Sequence, residues 1–338
     1  MRDHRIGPGV AGLALKLANT RDDGSFGRLA CVRARNVAGG AISASLQRGR
    51  RVRVAKVKKI GRVGAVRRAA RARRTERAAR KARAAAHVTA PHLCLLRAPA
   101  AAASTGPMDA EFIVATYNVH RWTGINGRMR SDPARAAFVI AELDADVIAL
   151  QEVLRPFDGE DPLEALADAL GLHVAFAATR VHKRGELGNA ILSRTPIAGV
   201  SMMDLSFSRL ERRVAVAAQF ECRSGMIDVV ATHLALGDRT RHRQVRSLLD
   251  HPQLRDRPTL LLGDMNAWRR CPATRALEDE LQSHHNTEWP ASFPAARPVL
   301  ALDRIYTRGV KILEIDAHGS RAARRASDHL PIVARVRV

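Results

Sequence analysis

The chain has 338 residues, 56 Lys plus Arg against 33 Asp plus Glu, and a formal net charge of +23. That length admits two ordinary domains or one domain with a long extension, and the charge points first to nucleic acid or an anionic surface. Its distribution excludes a uniformly basic protein: residues 1–107 hold 25 Lys plus Arg against 4 acids, and residues 108–338 hold 31 against 29, a net of only +2.

Residues 1–107 are rich in Arg and Ala, with Phe26 their only aromatic residue. Residues 51–58 alternate Val with Arg or Lys and read as a strand. Residues 67–83 read as a basic, Ala-rich helix with no large apolar side chain to bury. Such a segment cannot offset the entropy of ordering, so disorder or a lone helix is expected. Three roles stay open: a nucleic-acid-binding tail, a targeting peptide, or a solvated extension. The last includes an over-extended start, because initiation at Met108 would leave a complete domain; it is the favoured reading.

Residues 108–338 suit one domain with a good-sized core. Strand patterns fall at 112–118, 146–153, 173–179, 188–193, 213–220 and 226–233, then at 259–264, 302–307, 311–315 and 332–338. Helix patterns fall at 134–143, 163–170, 239–249 and 273–281. Ser131-Asp132-Pro133 and Asp161-Pro162 supply caps and first-turn prolines for the first two, and Gly171 stops the second. Strands and helices mixed in this way indicate an α/β domain. The continuous apolar runs indicate sheets covered on both faces.

Four cysteines (Cys31, Cys94, Cys222 and Cys271) form no CxxC pair and no Cys/His metal spacing. A disulfide framework or structural zinc is not expected, and a reducing, cytoplasmic setting fits best. No uncharged apolar run reaches the roughly 18–20 residues that a membrane helix needs, so no membrane span is expected. Nothing in the pattern demands more than a monomer.

The most informative pattern lies at the ends of the apolar strands. Asn118 and His120 end the first, and Gln151-Glu152 the second. Thr232-His233 and Gly263-Asp264-Met265-Asn266 end two later ones, and Ser327-Asp328-His329 precedes the last. Strand ends in α/β proteins converge on a rim where ligands bind. Asp264 and Asn266 are two apart and would point the same way on an extended segment. Carboxylate and amide oxygens suit Mg²⁺ or Mn²⁺. Taken singly, each residue reads as a turn or cap; His173, His182, His242, His251, His284 and His285 are set aside as surface or core.

Asn118, Gln151-Glu152, Thr232-His233-Leu234, Gly263-Asp264-Met265-Asn266, Leu302-Asp303-Arg304-Ile305 and Ser327-Asp328-His329, in that order and spacing, resemble the endonuclease/exonuclease/phosphatase superfamily. The resemblance covers 112–338 and none of the first 107 residues. Gly188-Asn189-Ala190-Ile191-Leu192-Ser193, Arg241 with Gln244, and Phe293-Pro294 resemble its small bacterial hydrolases. Gly124-Ile125-Asn126-Gly127 departs from that group, which commonly has Asp at the third place. The resemblance implies an α/β (α+β) four-layer sandwich, two packed mixed sheets flanked by helices.

It also implies Mg²⁺-dependent hydrolysis of a phosphate ester, with Glu152 the principal metal ligand, Asn118 nearby and Asp328 completing the set. Asp264 would orient or deprotonate the attacking water, and Asn266 would position it or the phosphate. His329, oriented by Asp303, would hydrogen-bond the phosphate, and His233 would stabilise developing charge or assist the leaving group. Asn189, Arg213 and His120 are weaker candidates for phosphate or substrate contact, His120 more as support for a ligand than as one. The substrate stays open: a phosphodiester or phosphomonoester comes first and a DNA or RNA nuclease second. The contrasting class is a non-enzymatic nucleic-acid binder acting through 1–107. With few aromatics and a near-neutral domain, little is offered for stacking single strands or following a long duplex.

Overall fold

Alternation along the central strands assigns their side chains to two different cores. Phe112 and Val114 of β2 (Glu111–Asn118) enter a core between two sheets, while Ala115 and Tyr117 face a layer of helices. β3 (Val147–Pro156) repeats this with Val147 and Ala149 inward, and Ile148 and Leu150 outward. Each strand is therefore apolar on both faces because each face is covered.

The computed structural model describes residues 91–101, 104–127, 131–207, 211–281 and 289–338. The strand and helix expected at 51–58 and 67–83 lie outside them, as do His284 and His285. The remaining strands are β1 (His92–Arg97), β4 (His173–His182), β5 (Gly185–Ser193), β6 (Gly199–Asp204), β7 (Val214–Cys222), β8 (Gly225–His233), β9 (Thr259–Asp264), β10 (Asp303–Arg308), β11 (Lys311–Ala317) and β12 (Ile332–Arg337). A seven-stranded sheet has the order β1-β4-β5-β3-β2-β12-β11, and a five-stranded sheet the order β10-β9-β8-β7-β6. Both are mixed: β2–β3 and β8–β9 are parallel and the other pairs antiparallel.

Helices α1 (Pro133–Leu143) and α2 (Pro162–Leu170) cover the larger sheet, through Ile140, Leu143, Leu163 and Leu166. Helices α3 (Asp238–Leu249) and α4 (Pro272–Glu280) cover the smaller, through Val245, Leu248 and Leu277. A short α5 (Ala323–Ala326) packs against α1. The architecture is a four-layer α/β sandwich. Among the described residues no helix is long and apolar enough to cross a membrane.

Local signals act as their chemistry requires in some places and not in others. Asp161 caps α2 by accepting from Leu163 N, and Gly171 ends it with a φ of +67°. Asp132 makes no cap bond; its carboxylate takes the Nε–H of Arg135 instead. Two strands go beyond the sequence expectation. β6 is a half-buried edge strand with no continuous apolar run. β1 lies in the segment expected to be an extension, yet it pairs antiparallel with β4 from His92↔Ala178 to Arg97↔Val174. A sheet edge takes a strand through its backbone whatever the charge of the flanking sequence, so the folded part reaches back past Met108.

Candidate active site

The parallel pairs bring the ends of β2, β8 and β9 to one rim, where β3 passes with Gln151 opposite Asn118. His233, Asp264 and Asp303 are neighbours across β8, β9 and β10, in the registers His233↔Asp264 and Asp303↔Asp264. From the other sheet, Asn118 at the end of β2 reaches across the sandwich and donates from Nδ2 to Asp264 Oδ2 at 3.1 Å. His329, just before β12, donates from Nδ1 to Asp303 Oδ2 at 2.7 Å. Its Nε2 lies 3.8 Å from Asp264 Oδ2, and His233 Nε2 lies 3.4 Å from the same oxygen. All five side chains are buried.

This crowding sets their protonation. Burial drives Asp264 up to about 7, the Asp303 charge adding to the rise, while His329, the Asn266 N–H and the Asn118 amide hold it down. Burial opposes a charged His329 ring, but Asp303 and Asp264 outweigh it and raise the ring to about 10. Burial, then the Arg213 and His329 charges, push His233 well below its ordinary range, so it is neutral. The rim thus holds a near-neutral carboxylate between a charged and an uncharged imidazole.

Asn266 does not continue an extended segment from Asp264. It has a φ of +51°, its N–H bonds Asp264 Oδ1 at 2.9 Å, and its Nδ2 donates to Leu234 O. The turn leaves its side chain tying the loops after β8 and β9 together, and the same-face expectation for the pair is corrected. Gly263 makes the close approach possible: with a φ of +149°, a Cβ there would lie 1.9 Å from Thr232 O.

Glu152 owes its direction to a bulge in β3 between Leu150 and Val153, and it carries a φ of +53°. Bulges re-aim side chains in this way. The guanidinium of Arg121 faces it, Nε to Oε2 3.2 Å. Arg121 lies in a left-handed turn whose residues His120, Arg121 and Trp122 all have positive φ; the turn is held by Trp122 Nε1–H to Leu154 O at 2.8 Å and Thr123 Oγ1–H to His120 O. Three such non-glycine residues in a row store backbone strain. The same turn brings His120 Nδ1 to 3.0 Å from Asp328 Oδ1. Burial would raise Asp328, but its bond to His120 and the two imidazole charges hold it below the ordinary carboxylate value. Ser327 Oγ–H donates to Asn118 O, linking this loop to β2.

Asn189 stands within β5 and not in a turn; its Nδ2 donates to Val214 O at 2.8 Å. With Glu152, His233, Arg180 and Arg213 it lines a cleft enclosing about 320 Å³, open solvent included. Arg213 is half-buried, and its burial draws the guanidinium below the ordinary value.

Glu152, Asp328 and Asn118 offer oxygen ligands, and two of them are carboxylates, facing the Arg121 guanidinium and the His120 ring. This donor set fits a hard divalent cation. Asp264, Asp303 and His329 also gather donor atoms within 4.8 Å of one another. Their atoms are already spent on each other, which suits holding protons. A third cluster, His92, Cys94 and Glu186, brings donor atoms of β1 and β5 together. Arg155 Nη1 lies 3.7 Å from Cys94 Sγ and 3.8 Å from Glu186, a charge that opposes a cation there.

Arg180 lies just beyond the sequence expectation, which ends β4 at Thr179; the rule that polar residues close apolar strands would have found it. Arg241 and Gln244 carry no role in the sequence pattern. Buried Arg241 donates to the carbonyls of Ala235, Leu236 and Asn266, and Gln244 accepts from Ala235 N–H and donates to Leu205 O. Polar residues three apart on the buried face of α3 were the available signal. Arg304 works likewise from β10, donating to Ala267 O.

A two-sheet sandwich with carboxylates, amides and imidazoles at one rim is the frame of a phosphoester hydrolase. The chain belongs to the Endonuclease/Exonuclease/phosphatase family, whose profile it matches over residues 115–329. It is 31% identical over 245 residues to the uncharacterized protein YbhP of Escherichia coli K12, covering 67% of this chain and 96% of YbhP. Its fold is similar to the endonuclease/exonuclease/phosphatase from Beutenbergia cavernae, with 23% identity, a TM-score of 0.55 and coverage of 68% of this chain and 72% of that one. It is also similar to a mannosyl-6-phosphatase of Bacteroides thetaiotaomicron, with 18% identity, a TM-score of 0.52 and coverage of 67% and 100%.

Proposed function

We propose that residues 108–338 carry a phosphoesterase, dependent on Mg²⁺ or Mn²⁺, that hydrolyses a phosphodiester or phosphomonoester by attack of water. The observation that carries this reading is the buried cluster around Asp264, which accepts from Asn118 Nδ2 at 3.1 Å and Asn266 N–H at 2.9 Å and has the His233 and His329 rings within 3.8 Å, its burial raising it toward neutral pH. A base titrating near neutral pH accepts a proton from water and returns it within one cycle. Asn118 and the Asn266 N–H fix its orientation. His329, held charged by Asp303, donates a hydrogen bond to a phosphate oxygen and neutralises the charge that develops there. Neutral His233 lies beside Asp264, placed to stabilise the departing oxygen by donating a hydrogen bond to it. Glu152, Asp328 and Asn118 are the residues to hold the cation. When bound, the cation supplies charge neutralisation at the phosphate and lowers the pKa of water.

The test is a panel of bis-p-nitrophenyl phosphate, p-nitrophenyl phosphate and plasmid DNA, each with Mg²⁺, with Mn²⁺ and with chelator. Turnover that chelator abolishes is the expected result; no metal-dependent turnover on any member sinks the reading. Binding of DNA that tracks residues 1–107 without turnover would favour the non-enzymatic alternative.

A further inference from the structure

One wall of the cleft beside Glu152 is more cationic than a single phosphate requires. Arg213 enters it from the start of β7 and Arg180 from the end of β4. A bulge between Ala178 and Arg180 in β4 turns Arg180 out of the strand's alternation and onto this wall. Arg213 is bonded through Nη2 to Glu211 Oε1 at 3.1 Å, but its Nε is buried with no hydrogen-bond partner among the described residues. The two guanidiniums are close enough to act on each other electrostatically, and both act on His233. Glu211, Asp264 and Glu152 act on Arg213, and the exposed Arg180 adds a like charge beside it that an anion in the cleft would relieve. The described lining contains no Phe, Tyr or Trp, so the wall offers charge without a stacking surface.

We propose that Arg180 and Arg213 form a subsite for a second anionic group of the substrate, a phosphate or carboxylate beside the phosphate that is cleaved. The substrate class is then a phosphoester that carries another anion, and the reading rests on the phosphoesterase activity proposed above. The second group takes the exposed fork of Arg180 beside the Arg213 guanidinium, and fork-shaped guanidiniums suit phosphate and carboxylate oxygens alike. A neighbouring phosphate in a nucleic-acid strand and a second phosphate on a small sugar would present the same chemistry.

Matched substrates test this. Thymidine 5′-(p-nitrophenyl phosphate) is compared with its 3′-phosphorylated form, and fructose 6-phosphate with fructose 1,6-bisphosphate, using the full chain with Mg²⁺. The expected result is a lower KM for the doubly anionic member of whichever pair is turned over. In Arg180→Gln, at an exposed position, the KM ratio between the two members should shift at least tenfold toward parity. The pair that responds separates nucleotide from sugar phosphate. Equal effects on both members, or no preference in the parent protein, overturn the proposal. Inorganic pyrophosphate binding, measured calorimetrically with chelator present, needs no turnover. A loss of at least tenfold in Arg180→Gln supports the subsite even if no substrate is hydrolysed, and equal binding overturns it.

Discussion

Asp303 and His329 share a 2.7 Å hydrogen bond with both side chains buried, one at the start of β10 and the other just before β12. Asp303 N–H is in turn fixed by Ser292 Oγ, and the Phe293 ring lies 5.0 Å from the His329 ring. The imidazole therefore has one orientation and one protonation state across the neutral range.

Removing the Asp303 charge should release that state. In Asp303→Asn, burial acts on His329 with less opposition, so the ring loses its proton at a much lower pH than the parent value of about 10. Turnover should fall by about 10²–10⁴-fold. The stability linkage has a definite sign: a histidine raised above its unfolded value of 6.5 contributes stability in full below 6.5 and loses it as pH rises toward 10. Denaturation at a series of pH values should show that alkaline decline in the parent protein and a flatter profile in Asp303→Asn. Titration of the His329 ring by NMR reads the shift directly, and a ring unchanged in Asp303→Asn would refute the coupling.

Glu152 and Asp264 should fail in different ways. Glu152→Ala removes a partly exposed carboxylate from the proposed cation site, so lost turnover should recover in part at high Mg²⁺. Asp264→Asn keeps shape but removes the base, and should stay down by about 10²–10⁴-fold at every Mg²⁺ concentration. Full rescue of Asp264→Asn by metal would show that its role is to hold the cation.

Most central strands were legible because both faces are covered and the apolar runs are unbroken, as in β8 and β9. The rim residues were legible only as an ordered set: singly each reads as a turn or cap, and the resemblance to the family lifts them together. What escaped depends on backbone irregularity: the bulges that aim Glu152 and Arg180, the left-handed turn that places His120 and Arg121, and the turn at Asn266 have no periodic signature. β1 escaped for another reason. Edge pairing is a backbone interaction, and the composition of the surrounding segment outweighed a short mixed strand.

Arg241 should prove to be a positioning residue. It lies buried under the loops after β8 and β9, where its Nη1 meets three carbonyls including Asn266 O at 2.7 Å. Lysine cannot reproduce that fork. Arg241→Lys should lose about 3 kcal/mol of stability, as expected when a buried, bonded charge loses its partners. Its kcat should fall with less change in KM, because Asn266 and Asp264 drift while the cleft wall remains. A variant with lower Tm and unchanged kcat would leave Arg241 a purely structural role.

The edge strand gives a prediction that separates folding from chemistry. β1 adds main-chain bonds along β4, and Arg97 ties it to Glu164 at 3.2 Å and to Asp168 on α2. Cys94 and Leu95 pack against the core beneath α1 and α2. A chain starting at Met108 keeps every rim residue but leaves the donors and acceptors of β4 unpaired along an edge whose Val174 and Phe176 are buried. Such an edge invites pairing with another chain. The shortened protein should melt about 3 °C or more below one starting at residue 91. It should also associate with rising concentration in light-scattering measurements, while turnover per folded molecule stays similar. Equal melting temperatures and a monomer at every concentration would mean that the folded unit begins at Met108 after all.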